Sequence, residues 1–182
     1  MPVIDNVVCE INKQMLVSLN KPSEMGIYNI AEMRRDKDTF KPYILDSNGR
    51  GSYVGVNNRH DLSWFWLLNS TRSEDGYFED EREQYVNFTI VCHYSTRQYK
   101  DRAYNVGMQV LGALPDYIEP QPFSLSMAVL KVERLNLDQT DILQAYYGMN
   151  AQEAQGVVTD IGFFSIDLAL HITYSVNCNP FC

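Results

Sequence analysis

Apolar and polar residues alternate with period two over residues 161–178. Phe164, Ile166, Leu168, Leu170, Ile172, Tyr174, Val176 and Cys178 fall on one side, and Ser165, Asp167, Ala169, His171, Thr173, Ser175 and Asn177 on the other. Successive side chains on a strand point to opposite faces, so this pattern predicts one long antiparallel-type strand with an apolar and a polar face. Val86, Phe88, Ile90, Cys92 and Tyr94 alternate in the same way with Asn87, Thr89 and His93, which predicts a second strand. Residues 62–68 form a dense apolar run whose aromatics favour a strand. Residues 123–135 predict another, with Phe123, Leu125, Met127 and Val129 on one side.

Helical spacing occurs in three places. Ile4, Val8, Ile11, Met15 and Leu19 form a stripe over residues 3–19, with Pro2 at the start and Lys21-Pro22 at the end. Tyr99, Ala103, Val106, Val110 and Leu114 form a second over residues 96–114, closed by Pro115. A short third helix is signalled by Asp138 as N-cap and Gly148 just past its end. Residues 149–160 read as a polar linker, and 73–84 as an acidic loop. The stretch 22–60 reads as extended loop holding one hairpin, with an edge strand at 40–45 marked by Pro42, a turn at 46–51 and a partner strand at 52–56.

This order predicts a single α+β domain over residues 1–182: a mainly antiparallel sheet, helices packed on one of its faces, and an N-terminal helix. The segments 20–60 and 136–160 stand in it as a long loop or hairpin insertion and a short helix with linker.

Charge narrows the possible partners. The net charge is −8, and residues 1–70 balance eight acids with eight bases. From Ala103 onward there are eight acids against two bases, Lys131 and Arg134. A chain without a basic stripe is poorly suited to gripping nucleic acid, because phosphate neutralisation supplies most of that affinity. The same charge suits a surface that nucleic acid slides past. The N-terminal stretch lacks the basic start and apolar run of a signal peptide, and no run reaches the roughly 20 apolar residues of a membrane span. Cys9, Cys92, Cys178 and Cys182 are therefore expected as reduced thiols in a protein made in the cytoplasm.

Candidate chemistry is sparse. Cys92 and His93 are adjacent on a strand and point to opposite faces, and no spacing among His60, His93, His171 and the cysteines matches a zinc site. Cys92 and Cys178 read as core thiols, and His93 and His171 as residues of the polar face. There is no nucleophile elbow and no phosphate-binding glycine loop. No catalytic residue, metal or cofactor is expected. Trp64 and Trp66 share a strand face and read as core or as a subunit interface. With Ser165, Asp167, His171 and Thr173 on the polar face of the last strand, they make up the candidate interface.

Residues 85–95 (YVNFTIVCHYS), followed at once by an amphipathic helix, resemble the central unit of the tail-terminator and head–tail connector (neck) ring proteins of tailed bacteriophages. Residues 164–175 (FSIDLALHITYS) resemble that family's closing strand, and the N-terminal helix leading to Pro42, Tyr43 and Ile44 fits the same outline. The resemblance implies a virion structural protein without enzymatic activity, whose copies form a homo-oligomeric ring in the neck or tail. Its partners are then other copies of itself, other neck and tail proteins, and the genomic DNA that passes through without specific binding. No membrane is involved. The residues also admit an alternative, a cytosolic α+β module that binds a small ligand or peptide with the aromatic segment 64–68 and the free sheet face.

Overall fold

Four long strands form the centre of the molecule, and the helices are arranged around them. The structure, a computed structural model, describes residues 2–20, 25–45, 50–56, 60–77, 80–97, 99, 102–118, 125–157 and 160–175. In chain order its elements are α1 (Pro2–Leu19), β1 (Met25–Asp36), β2 (Thr39–Leu45), β3 (Gly51–Tyr53), β4 (Leu62–Asp75), β5 (Glu81–Ser95), α2 (Ala103–Ala113), β6 (Tyr117–Ile118), β7 (Leu125–Asn136), α3 (Gln139–Tyr147), α4 (Ala151–Val157) and β8 (Ile161–Ser175). The strands form one eight-stranded sheet in the order β3-β2-β1-β4-β5-β8-β7-β6. Every neighbouring pair is antiparallel except β1 and β4, which run parallel. The fold is α+β.

The alternation of β5 and β8 builds the main core. Val86, Phe88, Ile90 and Cys92 from β5 and Phe164, Ile166, Leu168, Leu170 and Ile172 from β8 are all buried on one face, together with Trp64 and Trp66. Helix α1 lays Ile4, Val8, Ile11 and Met15 on this face, and α2 adds Val106 and Val110. The stripe of α1 was thus legible from its spacing. Its end is set by Asn20, which takes a positive φ of 55° and donates its backbone N–H to the carbonyl of Leu16 at 3.1 Å. Asn tolerates that left-handed conformation better than most side chains. Helix α2 is shorter than its apolar spacing suggests and begins at Ala103.

The one-faced helix layout expected from the sequence is corrected here. Helices α3 and α4 cover the opposite face, where Ile142, Leu143, Tyr147 and Ala154 pack on Phe65, Leu67, Val91, Ile161 and Phe163. Ile161 and Phe163 are the reason: they are apolar residues on the side of β8 that carries Ser165, Asp167 and His171, and they require cover of their own.

Helix α3 forms as its caps dictate. The carboxylate of Asp138 accepts from the backbone N–H groups of Thr140 and Asp141 at 3.0 and 3.1 Å, and Gly148 closes the helix with φ 64°. The polar linker at 149–160 is also corrected, since it contains α4. Asn150 accepts from the N–H groups of Gln152 and Glu153, both at 3.0 Å, while Glu153 accepts from the N–H of Asn150 at 2.9 Å. This reciprocal pair is a capping box, which satisfies the first backbone donors of a helix too polar to show an apolar stripe.

Three further expectations change. Between residues 20 and 60 the hairpin β2–β3 forms as expected, but β1 is a full strand, and β2 lies between β1 and β3 instead of at the edge. The expected acidic loop at 73–84 is the end of a long hairpin in which Glu74 faces Glu83 and Asp75 faces Arg82. On β7 the buried residue is Ala128, while Val129 is 38% exposed, so the apolar face lies one residue off the expected register. A bulge between Val132 and Arg134 then shifts the phase again.

Candidate functional site

The polar side of β8 divides into two halves. Ser165, with Ile161 and Phe163, lies beneath α3 and α4 and is buried. Asp167, Ala169, His171 and Thr173 lie beyond the helices and are half-buried. No helix among the described residues covers this outer half, which β4, β5 and β7 extend on either side.

Cross-strand register fixes the residues of the open face. Tyr117, Val129, His171, Tyr85 and Arg72 are successive neighbours across β6, β7, β8, β5 and β4. The rings of Tyr85 and His171 stack at 4.4 Å with an interplanar angle of 4°, and the Arg72 guanidinium lies 5.0 Å from the Tyr85 ring centre. One carboxylate ties the row together. The hydroxyl of Tyr85 donates to Glu83 Oε2 at 2.6 Å, and His171 Nε2 lies 3.0 Å from the same oxygen. The hydroxyl of Tyr85 and the imidazole of His171 hold the Glu83 carboxyl below the usual range, while the adjoining carboxylate raises the Tyr85 phenol.

Next to this row lies a ladder of side-chain hydrogen bonds. Asn69 donates to Thr89 Oγ1 at 2.9 Å, and the Thr89 hydroxyl donates to Asp167 Oδ1 at 2.7 Å. Asn87 donates to Ser70 Oγ at 2.9 Å. Paired polar groups of this kind keep a sheet face stable in water and leave its shape rigid.

The six candidate interface residues therefore separate. Asp167, His171 and Thr173 share the open face. Ser165 is buried beneath α3 and α4 and leaves the set. Trp64 and Trp66 also leave it, because both are fully buried in the main core. Their indole N–H groups donate to Asn12 Oδ1 of α1 at 2.8 and 2.9 Å, which satisfies two buried donors at one acceptor. The aromatic segment 64–68 therefore offers no exposed ring for a ligand.

His93 is corrected as well. It lies on the expected side of β5 but beneath α3, 1% exposed, with Nδ1 3.2 Å from the hydroxyl of Tyr147. Burial, with a small contribution from His60, lowers its pKa to about 4. Cys92 is buried as expected, and burial pushes its thiol well up, so it is an inert core residue. Cys178, Val176, Asn177, Cys182 and Phe123 lie outside the described residues. No group of three His, Cys, Asp or Glu residues suited to a metal ion occurs among the described residues. No described helix is long and apolar enough to cross a membrane.

Residues that sequence reasoning missed line a second feature. β1 pairs with β4 only as far as Ala31 and Leu67, after which β1 continues with β2 and β4 with β5. The sheet forks there, leaving a cleft of about 750 Å³ lined by Asp5, Glu32, Tyr43, Leu67, Asn69 and Tyr146 among others. The only sequence signal was the unassigned segment 25–36, whose apolar residues keep no clean alternation. No protein-family model matches this chain, and no curated protein sequence does so either.

Proposed function

We propose that the protein is a virion structural subunit without catalytic activity, which assembles with copies of itself into a ring at the head–tail junction of a tailed phage. In this reading the ring joins capsid or portal to tail and lets DNA pass. The observation that carries the reading is the outer half of the sheet, where β4, β5, β8 and β7 offer a rigid polar face that no described helix covers, while the reverse face packs in the main core. A surface of cross-strand pairs suits repeated subunit contact, since it binds by shape without rearranging. The net charge of −8 supports passage of DNA without adhesion. The resemblance of α1, β5–α2 and β8 to the neck and tail-terminator outline supports the site of assembly.

Light scattering across a concentration series, with electron microscopy of the same samples, tests this reading. A closed ring is the expected result, and a strict monomer at every concentration overturns it.

The forked cleft supports a second reading, a module that binds a small ligand or peptide between β1 and β4. A panel of metabolites and peptides that leaves the melting temperature unchanged removes it.

A further inference from the structure

Among the described residues, the four central strands have an unpaired stretch on each outer edge, residues 68–75 of β4 on the outer half of the sheet and residues 131–136 of β7. The β7 stretch is level with residues 65–70 of β4, so the two are staggered along the strands. On one side β1 departs after Ala31, so residues 68–75 of β4 pair only with β5 among the described residues. On the other side β6 covers Val129 and Ala128 of β7, and Leu130 donates its N–H to the carbonyl of Asp116 at 3.0 Å. Beyond that point, residues 131–136 pair only with β8 among the described residues. Each edge thus presents a row of backbone donors and acceptors to solvent, a template for a further strand. Residues 69–75 and 131–134 are all exposed.

Direction and charge make the two edges complementary. β4, β5, β8 and β7 alternate in direction, so β4 and β7 run opposite ways. A β7 edge laid on the β4 edge of another copy therefore continues the antiparallel sheet and keeps the open face of both copies on the same side. That contact is heterologous, and heterologous contacts generate rings when the rotation closes. The β7 edge carries Lys131 and Arg134, the only two basic residues of the chain from Ala103 onward. Neither takes part in an ion pair among the described residues. The β4 edge ends in Glu74 and Asp75, which pair with Arg72 and Arg82 of the same hairpin at 3.0 and 3.2 Å, and Asp80, Glu81 and Glu83 leave that end net acidic. Val132, 41% exposed at the β7 edge, is an apolar side chain that such a contact would cover.

We propose that the outer edge of β7 in one copy of the chain pairs antiparallel with the outer edge of β4 in the next, extending the sheet around the assembly. This rests on the ring reading above and names the contact that builds the ring.

Charge exchange in the full chain tests the contact. The Lys131→Glu/Arg134→Glu variant and the Glu74→Lys/Asp75→Lys variant each make both edges alike in sign, and each is expected to raise the concentration needed for assembly at least tenfold. The variant carrying all four substitutions restores opposite signs and is expected to assemble as the natural chain does. Light scattering reads the assembly, and circular dichroism shows that each variant is folded. Rings that persist in both paired variants overturn the edge contact and leave the ring reading standing. Failure of the fourfold variant to recover, or a product that stops at a two-fold dimer, also overturns it. A natural chain that stays monomeric overturns both proposals.

Discussion

Asn12 and Trp64 come from different layers of the molecule and meet in its interior, where the indole N–H donates to the Asn12 side-chain carbonyl at 2.8 Å. The same oxygen accepts from Trp66 at 2.9 Å, so one helix residue fixes the rotamers of two core tryptophans. Asn12 interrupts an apolar helix face, and its burial is explained by the two donors it satisfies.

Asn12→Leu is therefore expected to destabilise the chain despite adding apolar surface. It leaves two buried indole donors unsatisfied, at about 1–3 kcal/mol each. Urea unfolding followed by tryptophan fluorescence measures the loss, and a change below about 0.5 kcal/mol would contradict the assigned role.

His93 predicts a specific acid sensitivity. Its folded pKa is lowered to about 4 from an ordinary 6.5, so the unfolded chain binds the proton more readily. The resulting stability is fully present above pH 6.5 and is lost as pH falls toward 4, by about 3 kcal/mol. Denaturant unfolding of the natural chain and of His93→Gln over this range should differ in slope. Parallel curves would refute the assignment.

The ends of α3 differ in what they require. Asp138→Ala removes two hydrogen bonds to the first turn and is expected to lose about 1 kcal/mol. Gly148→Ala adds a Cβ in a left-handed conformation, 2.7 Å from Cβ of Thr39, and is expected to lose about 1–3 kcal/mol. Thr39→Gly in that background should recover the steric part and leave the backbone part. Thermal unfolding of the set separates the two.

On the open face, Glu83→Gln removes the carboxylate that raises the Tyr85 phenol. Ultraviolet or NMR titration should show that tyrosine ionising at lower pH in the variant than in the natural chain. An unchanged titration would show that the contact at 2.6 Å does not persist in solution.

Elements differed in how legible they were for identifiable reasons. Helix α1 and one face each of β5 and β8 meet the main core over their length, so an unbroken period survives in those residues. Helix α3 was readable from Asp138 and Gly148 because caps act locally. The Asn150–Glu153 box gave α4 the same kind of signal, but a helix of seven residues holds too few apolar positions to draw attention to it. β1 was hidden because its neighbours change along its length, from β4 at one end to β2 at the other.

The candidate site was less legible still. Asp167, His171 and Thr173 could be placed on one polar face from period two alone. That Ser165 shares their parity and is nevertheless buried depends on α3 and α4, which fold over from elsewhere in the chain. Trp64 and Trp66 could be assigned a common face but no environment, since the acceptor that buries them is some 50 residues away on α1. The bulges at 68/70 in β4 and 132/134 in β7 shift which residues face the solvent, and they arise from pairing with partners.

What the sequence by itself determined is local: which segments are amphipathic, where α1 and α3 begin and end, and that the chain is acidic with two late basic residues. Those properties follow from side-chain period, caps and charge, each set within a few residues. The tertiary structure alone decided that helices cover both faces of the sheet, that the sheet forks at Leu67, and that Lys131 and Arg134 lie on one free edge with Glu74 and Asp75 on the other. The order of strands and the reach of each pairing depend on contacts between residues far apart in the chain, and no local pattern encodes them.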